Sequence, residues 1–262
     1  MAPEDIFELY EEIKDDLKFI TSSDIRTKII ISLKEGPKKL GDLKDEVHMR
    51  SSSILHSMSQ LENKNLITRE FQSYSLSQTG DMAATIIIDT VNSFFLIKEN
   101  ENFWLNHDLT EIPEDLLEKI DHLSDFKVMT ISDSDQPLFK ELFLNSNVVK
   151  GIISPLIIHD ELEVVTKNDD VHLILANNAL NDVVEELSSP KCTTIAENIK
   201  LWKIKEDLKL ILIVTDNFIL LNLPQIQEND SSSYLINETE ESIEWGNKLY
   251  SYYLNQAEEL HI

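Results

Sequence analysis

Cys192 is the single cysteine in 262 residues. It leaves no partner for an internal disulfide and excludes any Cys-X-X-Cys metal site. Glycine is almost as scarce: Gly36, Gly41, Gly80, Gly151 and Gly246 are the five, and they form no phosphate-cradling loop. A Rossmann dinucleotide site and a Walker P-loop are thereby excluded. There is no Gly-X-Ser-X-Gly elbow, which removes one serine-hydrolase signature. No apolar run in the sequence approaches the ~20 residues needed to cross a bilayer. The expectation is a protein that is not an enzyme, with no cofactor and no resident metal.

Positive charge is also short, with 23 Lys and Arg against 48 Asp and Glu for a formal net charge of −25. At first sight that argues against nucleic acid, because phosphate is repelled by an acidic protein. The acidity is unevenly spread. Thr21 to Gly80 holds nine basic and seven acidic residues, a net +2, which leaves 14 basic and 41 acidic residues, a net −27, elsewhere. Hydrophobic content of 42% and charged content of 27% are those of a globular protein, and the length suits two domains. The opening MAPEDIFELYEEIKDD is acidic and amphipathic, unlike a secretory signal, so a cytoplasmic location is expected with no membrane partner.

The segment relieved of acidity contains RSSSILHSMSQLENKN, Arg50 to Asn65. Ile54, Met58 and Leu61 recur at helical spacing, and Ser52, Ser53, His56, Ser57 and Gln60 fall on the opposite side. One packed face and one neutral hydrogen-bonding face are what a helix reading base edges in a major groove requires. Before it, periodicity predicts helices over Asp5–Ile20, Ile25–Leu33 and about Leu40–Val47, with Ser22-Ser23-Asp24 and Gly36-Pro37 as start and stop signals. After it, Leu66–Phe71 and Tyr74–Leu76 read as a hairpin turning at Gln72-Ser73. Ser51 to Ser53 could cap the helix or meet phosphate; Arg50, Arg69, Lys38 and Lys39 are the candidate phosphate contacts.

A long helix follows from Thr79 to about Asn100, then a linker Glu101–Pro113. Beyond Phe126, short apolar runs at Phe126–Ile131, Val148–Ser154 and Val171–Leu175 alternate with helical stretches at Gln136–Asn145, Leu156–Val165 and Ala179–Leu187. That alternation predicts βαβ units. Ile199–Ile204, Leu208–Thr215 and Phe218–Asn222 have connections so short that antiparallel pairing is expected. Asn229–Ser233 reads as a polar loop, and Glu240–Leu260 as a closing helix.

SSDIRTKIIISLKEGPKKLGDLKDEVHMRSSSILHSMSQLENKNLI resembles the N-terminal winged helix-turn-helix of archaeal regulators, close to the arsenic-repressor-like superfamily. FWLNHDLTEIP, LWKIKEDLKLILIVTDNFILLNL and SIEWGNKLYSYYLNQAEEL are similar to an archaeal regulator family best known from methanogens. The resemblance implies an α+β two-domain protein. Residues 1–80 would be a winged helix-turn-helix with an extra N-terminal helix, 81–113 a linker and dimerisation helix, and 114–262 an α/β sandwich with a mixed sheet, distantly phospholipase-D-like. No histidine has lysine two residues later, so phospholipase-D chemistry is not carried over. The function implied is a sequence-specific, homodimeric transcriptional regulator of double-stranded DNA, controlled by a small-molecule effector. The alternative is an interaction module with a degenerate winged helix. An effector in such a sheet would sit beyond the strand ends, where Ser132, Asp133, Ser154 and Asp216 stand.

Overall fold

The structure is a computed structural model that describes residues 3–130, 146–154, 170–187, 199–226 and 233–260. The chain divides into two compact units, Met1–Asn92 and Ser93–Ile262.

In the first unit, α1 (Pro3–Thr21) is followed by α2 (Asp24–Leu33), whose N-terminus is capped by Ser23 Oγ accepting from the Arg26 N–H. α2 buries Ile29, Ile30 and Leu33 on one stripe. Lys38–Lys39 then forms a short strand, β1, that the sequence did not announce. α3 (Leu40–Val47) buries Leu43 and Val47 and ends at His48 in the left-handed region, φ 56°. α4 (Ser51–Asn63) follows, and Asn65 just past its end has φ 55°, as its side chain tolerates. β2 (Ile67–Glu70) and β3 (Ser73–Leu76) form the hairpin, but the two-residue turn is Phe71-Gln72 rather than Gln72-Ser73. The sheet order is β1-β3-β2. Ile29, Ile30, Leu43, Ile54, Met58, Leu61 and Ile67 make the core. α1 differs from expectation: Ile6, Tyr10, Ile13 and Leu17 on its apolar side are exposed, and only Phe19 and Ile20 at its end pack on that core.

α5 (Gln78–Glu99) opens against the hairpin. A Cβ at Gly80 would lie 1.8 Å from the Leu66 carbonyl oxygen, so only glycine permits this approach. Along its length Met82, Ile86, Val91, Phe94 and Phe95 are exposed. Helical, α5 is long and apolar enough by length and composition to cross a membrane, which corrects the reading that nothing in the chain is.

The second unit is built on an eight-stranded mixed sheet. Its strands are β4 (Lys127–Thr130), β5 (Val148–Ile153), β6 (Asp170–Leu175), β7 (Ile199–Lys203), β8 (Ile211–Thr215), β9 (Ile219–Asn222), β10 (Ser233–Asn237) and β11 (Glu258–Leu260). Their order is β11-β7-β6-β5-β8-β9-β10-β4. β5, β6 and β7 run parallel, and every other pairing is antiparallel. β4, the first strand of the expected βαβ alternation, lies at the far edge, antiparallel to β10. β7 joins β6 in parallel rather than β8. β8 and β9 are buried along their whole length, which is why they read as continuous apolar runs.

The expected linker is part of this unit. α6 (Glu101–Asn106) brings Phe103, α7 (Glu114–Leu117) brings Leu116, and the segment between them brings Ile112 into the core. α8 (Leu180–Leu187) precedes a stretch outside the described residues, as the helices expected at 136–145 and 156–165 also are. α9 (Glu240–Leu254) stops earlier than its periodicity suggested, and Glu258–Leu260 becomes an edge strand. Trp245 of α9 is 1% exposed and donates Nε1–H to the Leu116 carbonyl at 2.9 Å.

Candidate functional site

α4 has the two-sided character its sequence requires. Ile54, Met58 and Leu61 are buried, whereas Ser52 and His56 are exposed and Ser51, Ser53 and Gln60 half-buried. Ser57 is 5% exposed, so it offers little surface although it lines the same cleft as Ser53 and His56. Its spacing of three from Ile54 and four from Leu61 places it at the edge of the packed stripe. Ser52, Ser53, His56, Ser57 and Gln60, with Ser23, Ile25 and Arg26 of the α2 start, line a cleft of about 480 Å³.

Arg26 was not singled out from the sequence, and it organises this cleft. Its Nε donates to the Phe19 carbonyl at 2.6 Å, its guanidinium lies 4.4 Å over the Phe19 ring, and its Nη1 donates to Gln60 Oε1 at 2.9 Å. The contact joins residues 34 positions apart, beyond the reach of local periodicity.

The candidate phosphate contacts differ among themselves. Arg50 is exposed at the N-cap of α4 with extended backbone and no side-chain cap. Lys39 is exposed, and its backbone N–H donates to Asp42 at 3.0 Å. Arg69 is exposed on β2, its guanidinium 5.3 Å over the Tyr74 ring. Lys38 is clamped: Nζ reaches Glu35 at 2.6 Å and Glu46 at 2.7 Å, and the side chain is 12% exposed. Glu35 and then Glu46 raise its pKa above the ordinary lysine value. Lys38 holds the Glu46 carboxyl below the usual carboxylate range, with the Ser32 hydroxyl adding a hydrogen bond. A phosphate would have to compete with two carboxylates for this ammonium.

At the hairpin tip, Phe71 is 99% exposed with φ 54°. A bulky residue in the left-handed region costs on the order of 1 kcal/mol or more. A phenylalanine in a two-residue turn, where Asn or Gly is expected, is the signal that could have singled it out.

The polar residues expected at the sheet ends are differently employed. Ser154 is 1% exposed and donates to the Lys209 carbonyl at 3.2 Å. Asp216 accepts from the Asn147 backbone N–H at 3.1 Å and from Asn147 Nδ2 at 2.8 Å. Ser132 and Asp133 lie outside the described residues. A cavity of about 590 Å³ lies elsewhere in this unit, with Lys98, Asn100, Phe103, His107, Val128 and Ser233 among its walls. His107 is buried, stacked 4.0 Å from the Phe103 ring. Its Nδ1 donates to the Phe103 carbonyl at 2.7 Å, and Nε2 is hydrogen-bonded with Ser233 Oγ at 2.9 Å. Among the described residues no three His, Cys, Asp or Glu side chains gather as metal ligands.

Residues 14–93 match the N-terminal domain, and residues 137–256 the middle domain, of the methanogenesis regulatory protein FilR1. The FilR1 of Methanothrix harundinacea (strain 6Ac) is 26% identical over 258 residues, covering 93% of this chain and 58% of its own length. The chain thus spans somewhat over half of the relative it matches. Among solved structures, TrmBL2, described as an archaeal chromatin protein with a novel mode of DNA binding, shares 13% identity at a TM-score of 0.40, covering 89% of this chain and 92% of its own. Nuc, a phospholipase D family member from Salmonella typhimurium, shares 8% identity at a TM-score of 0.36, covering 53% of this chain and all of its own.

Proposed function

We propose, from the premise that the chain belongs to the FilR1 family through its N-terminal and middle domains, that it is a sequence-specific transcriptional regulator. Ser22 to Gly80 would act as a winged helix-turn-helix with α4 in the major groove of double-stranded DNA. One observation carries this reading. The face of α4 opposite the buried Ile54, Met58 and Leu61 is open and uncharged, in the segment that escapes the acidity of the rest. Ser52, Ser53, His56 and Gln60 then face bases, while Ser51 at the helix start, Arg50, Lys39 and Arg69 meet phosphates. Lys38 is left out of that set because its charge is already neutralised.

So few free cations imply weak binding by one subunit, and two reading helices on one protein multiply it through effective concentration. The exposed apolar residues of α5, Met82, Ile86, Val91, Phe94 and Phe95, support a homodimer formed there. A small-molecule effector would bind in the second unit. The cavity beside His107 offers it more than Ser154 and Asp216, whose polar atoms already have partners.

Binding of the chain to a fragment of its own promoter, followed by anisotropy against salt, is the test. Arg50→Glu is expected to weaken binding to all sequences about tenfold and to lower the salt slope by about 1. No binding at low salt would sink the reading. The clamp on Lys38 and the net charge of −25 favour the rival, a protein-interaction module. A sedimenting homodimer that retains protein partners after nuclease treatment and binds no DNA would favour it instead.

A further inference from the structure

We propose that Arg26 fixes Gln60 as a hydrogen-bond donor, so that α4 selects guanine at the base pair facing Gln60. This rests on the major-groove reading above and names what that face recognises.

A free glutamine side chain is ambiguous. Its amide carries an acceptor oxygen and a donor NH₂, and its usual bidentate match is adenine, which offers N7 as acceptor and N6–H₂ as donor. Here the ambiguity is removed. Arg26 Nη1 donates to Gln60 Oε1 at 2.9 Å. A guanidinium has only donors, so the oxygen must face it; the flipped amide would set donor against donor. The arginine is itself held in place from behind, by the hydrogen bond from Nε to the Phe19 carbonyl and by the Phe19 ring 4.4 Å from its central carbon. One lone pair of the Gln60 carbonyl is therefore engaged within the protein and its oxygen is turned to the guanidinium, so the NH₂ is the group turned towards a ligand.

Of the four bases, guanine presents two acceptors, O6 and N7, and no donor on its major-groove edge, against the single O4 acceptor of thymine beside its methyl group. Gln60 with its NH₂ turned outward matches it, and with its oxygen turned to Arg26 it is poorly placed for the N6–H₂···Oε1 half of the adenine pairing. The Arg26 charge acts in the same direction. Nε uses its one N–H on Phe19 and Nη1 one of two on Gln60, so three of the five guanidinium N–H groups remain beside an acceptor-rich edge. Cytosine, which offers the N4–H₂ donor, is opposed by both groups. Ser23, Ser52, Ser53 and His56 share the cleft with this pair, so the pair sits on the same open side as the rest of the reading face.

The test is selection of bound DNA from a random library by the full chain, in the wild type and three variants. Wild type is expected to enrich guanine at one position per half-site, roughly tenfold over the other bases. Gln60→Ala should flatten that column while leaving the other columns in place. Arg26→Met keeps an unbranched stem but frees Oε1, and it should move the column from guanine towards adenine. Should Arg26→Met fail to melt as the wild type does, Gln60→Glu carries the decision. It keeps a partner for Arg26 and the shape of the side chain but has no NH₂, and it should lose guanine without gaining adenine. Guanine retained in Gln60→Ala or Gln60→Glu, or in a folded Arg26→Met, overturns the proposal and leaves the DNA-binding reading intact. No enriched sequence with any protein overturns both.

Discussion

α4 and the sheet ends of the second unit carry similar side chains, serines, amides and a carboxylate or histidine, yet they leave them in opposite states. Beyond its first turn, the backbone N–H groups of a helix are bonded within the helix. Exposed His56 is therefore not needed by the backbone of its own helix. At the sheet ends backbone groups lack ladder partners, and side chains supply them. Asp216 takes the Asn147 N–H, and Ser154 donates to the Lys209 carbonyl. Thr215 Oγ1 accepts from Asn217 and Phe218, and Glu111 from Lys209 and Leu210. Polar residues on a helix face are thus better candidates for ligand contact than the same residues in turns.

Four predictions break or sharpen that contrast. Gly80→Ala should do the most damage, because its Cβ would stand 1.8 Å from the Leu66 backbone oxygen. It should destabilise the first unit by about 3 kcal/mol, seen calorimetrically as loss of one transition with the other retained, and abolish DNA binding with it. Asp216→Ala should lower the stability of the second unit by about 1 kcal/mol, since the carboxylate is exposed though hydrogen-bonded. An unchanged melting temperature together with altered effector response would reverse the contrast. Ser52→Ala should weaken DNA binding a few-fold, on the order of 1 kcal/mol or less, whereas Ser57→Ala should leave it unchanged. Equal effects would mean the burial of Ser57 does not remove it from the interface.

The smallest effect concerns the Lys38 clamp. Glu46 has its pKa lowered on folding, so its contribution is present at neutral pH and is lost as pH falls through its depressed folded value. Lys38, raised, loses its share only above the ordinary lysine range. Glu46→Gln should therefore make acid unfolding of the first unit slightly less steep below the usual carboxylate range. It should also leave Lys38 with Glu35 as its one remaining clamp carboxylate, and Glu35→Gln with Glu46→Gln should steepen the salt dependence of DNA binding; a salt slope identical to wild type in the double variant would show that Lys38 lies off the DNA path.

The legible parts of the fold were those set by neighbours in sequence. α2, α3 and α4 follow from apolar residues at helical spacing, and β8 and β9 from continuous apolar runs between short turns. β10 and β11 were not legible: one begins where a polar loop was expected and the other looked like the end of a helix. β4 was visible as a strand but not as an edge strand, since pairing with β10 across a hundred residues leaves no local signature. At the site, Phe71 went unnoticed because its apolar character extended the strand before it.

The sequence by itself determined that α4 would have one packed and one polar face, and that it would lie in the segment relieved of negative charge. Both are properties of composition and spacing, which folding cannot alter. Only the tertiary structure decided which polar atoms on that face stay available. Packing of α1, α2 and α4 on a shared core brings Arg26 to Gln60 Oε1 and leaves Ser57 almost fully covered. Hydrogen bonds are short and directional, so a contact between residues 34 apart exists only once three helices have set their angles.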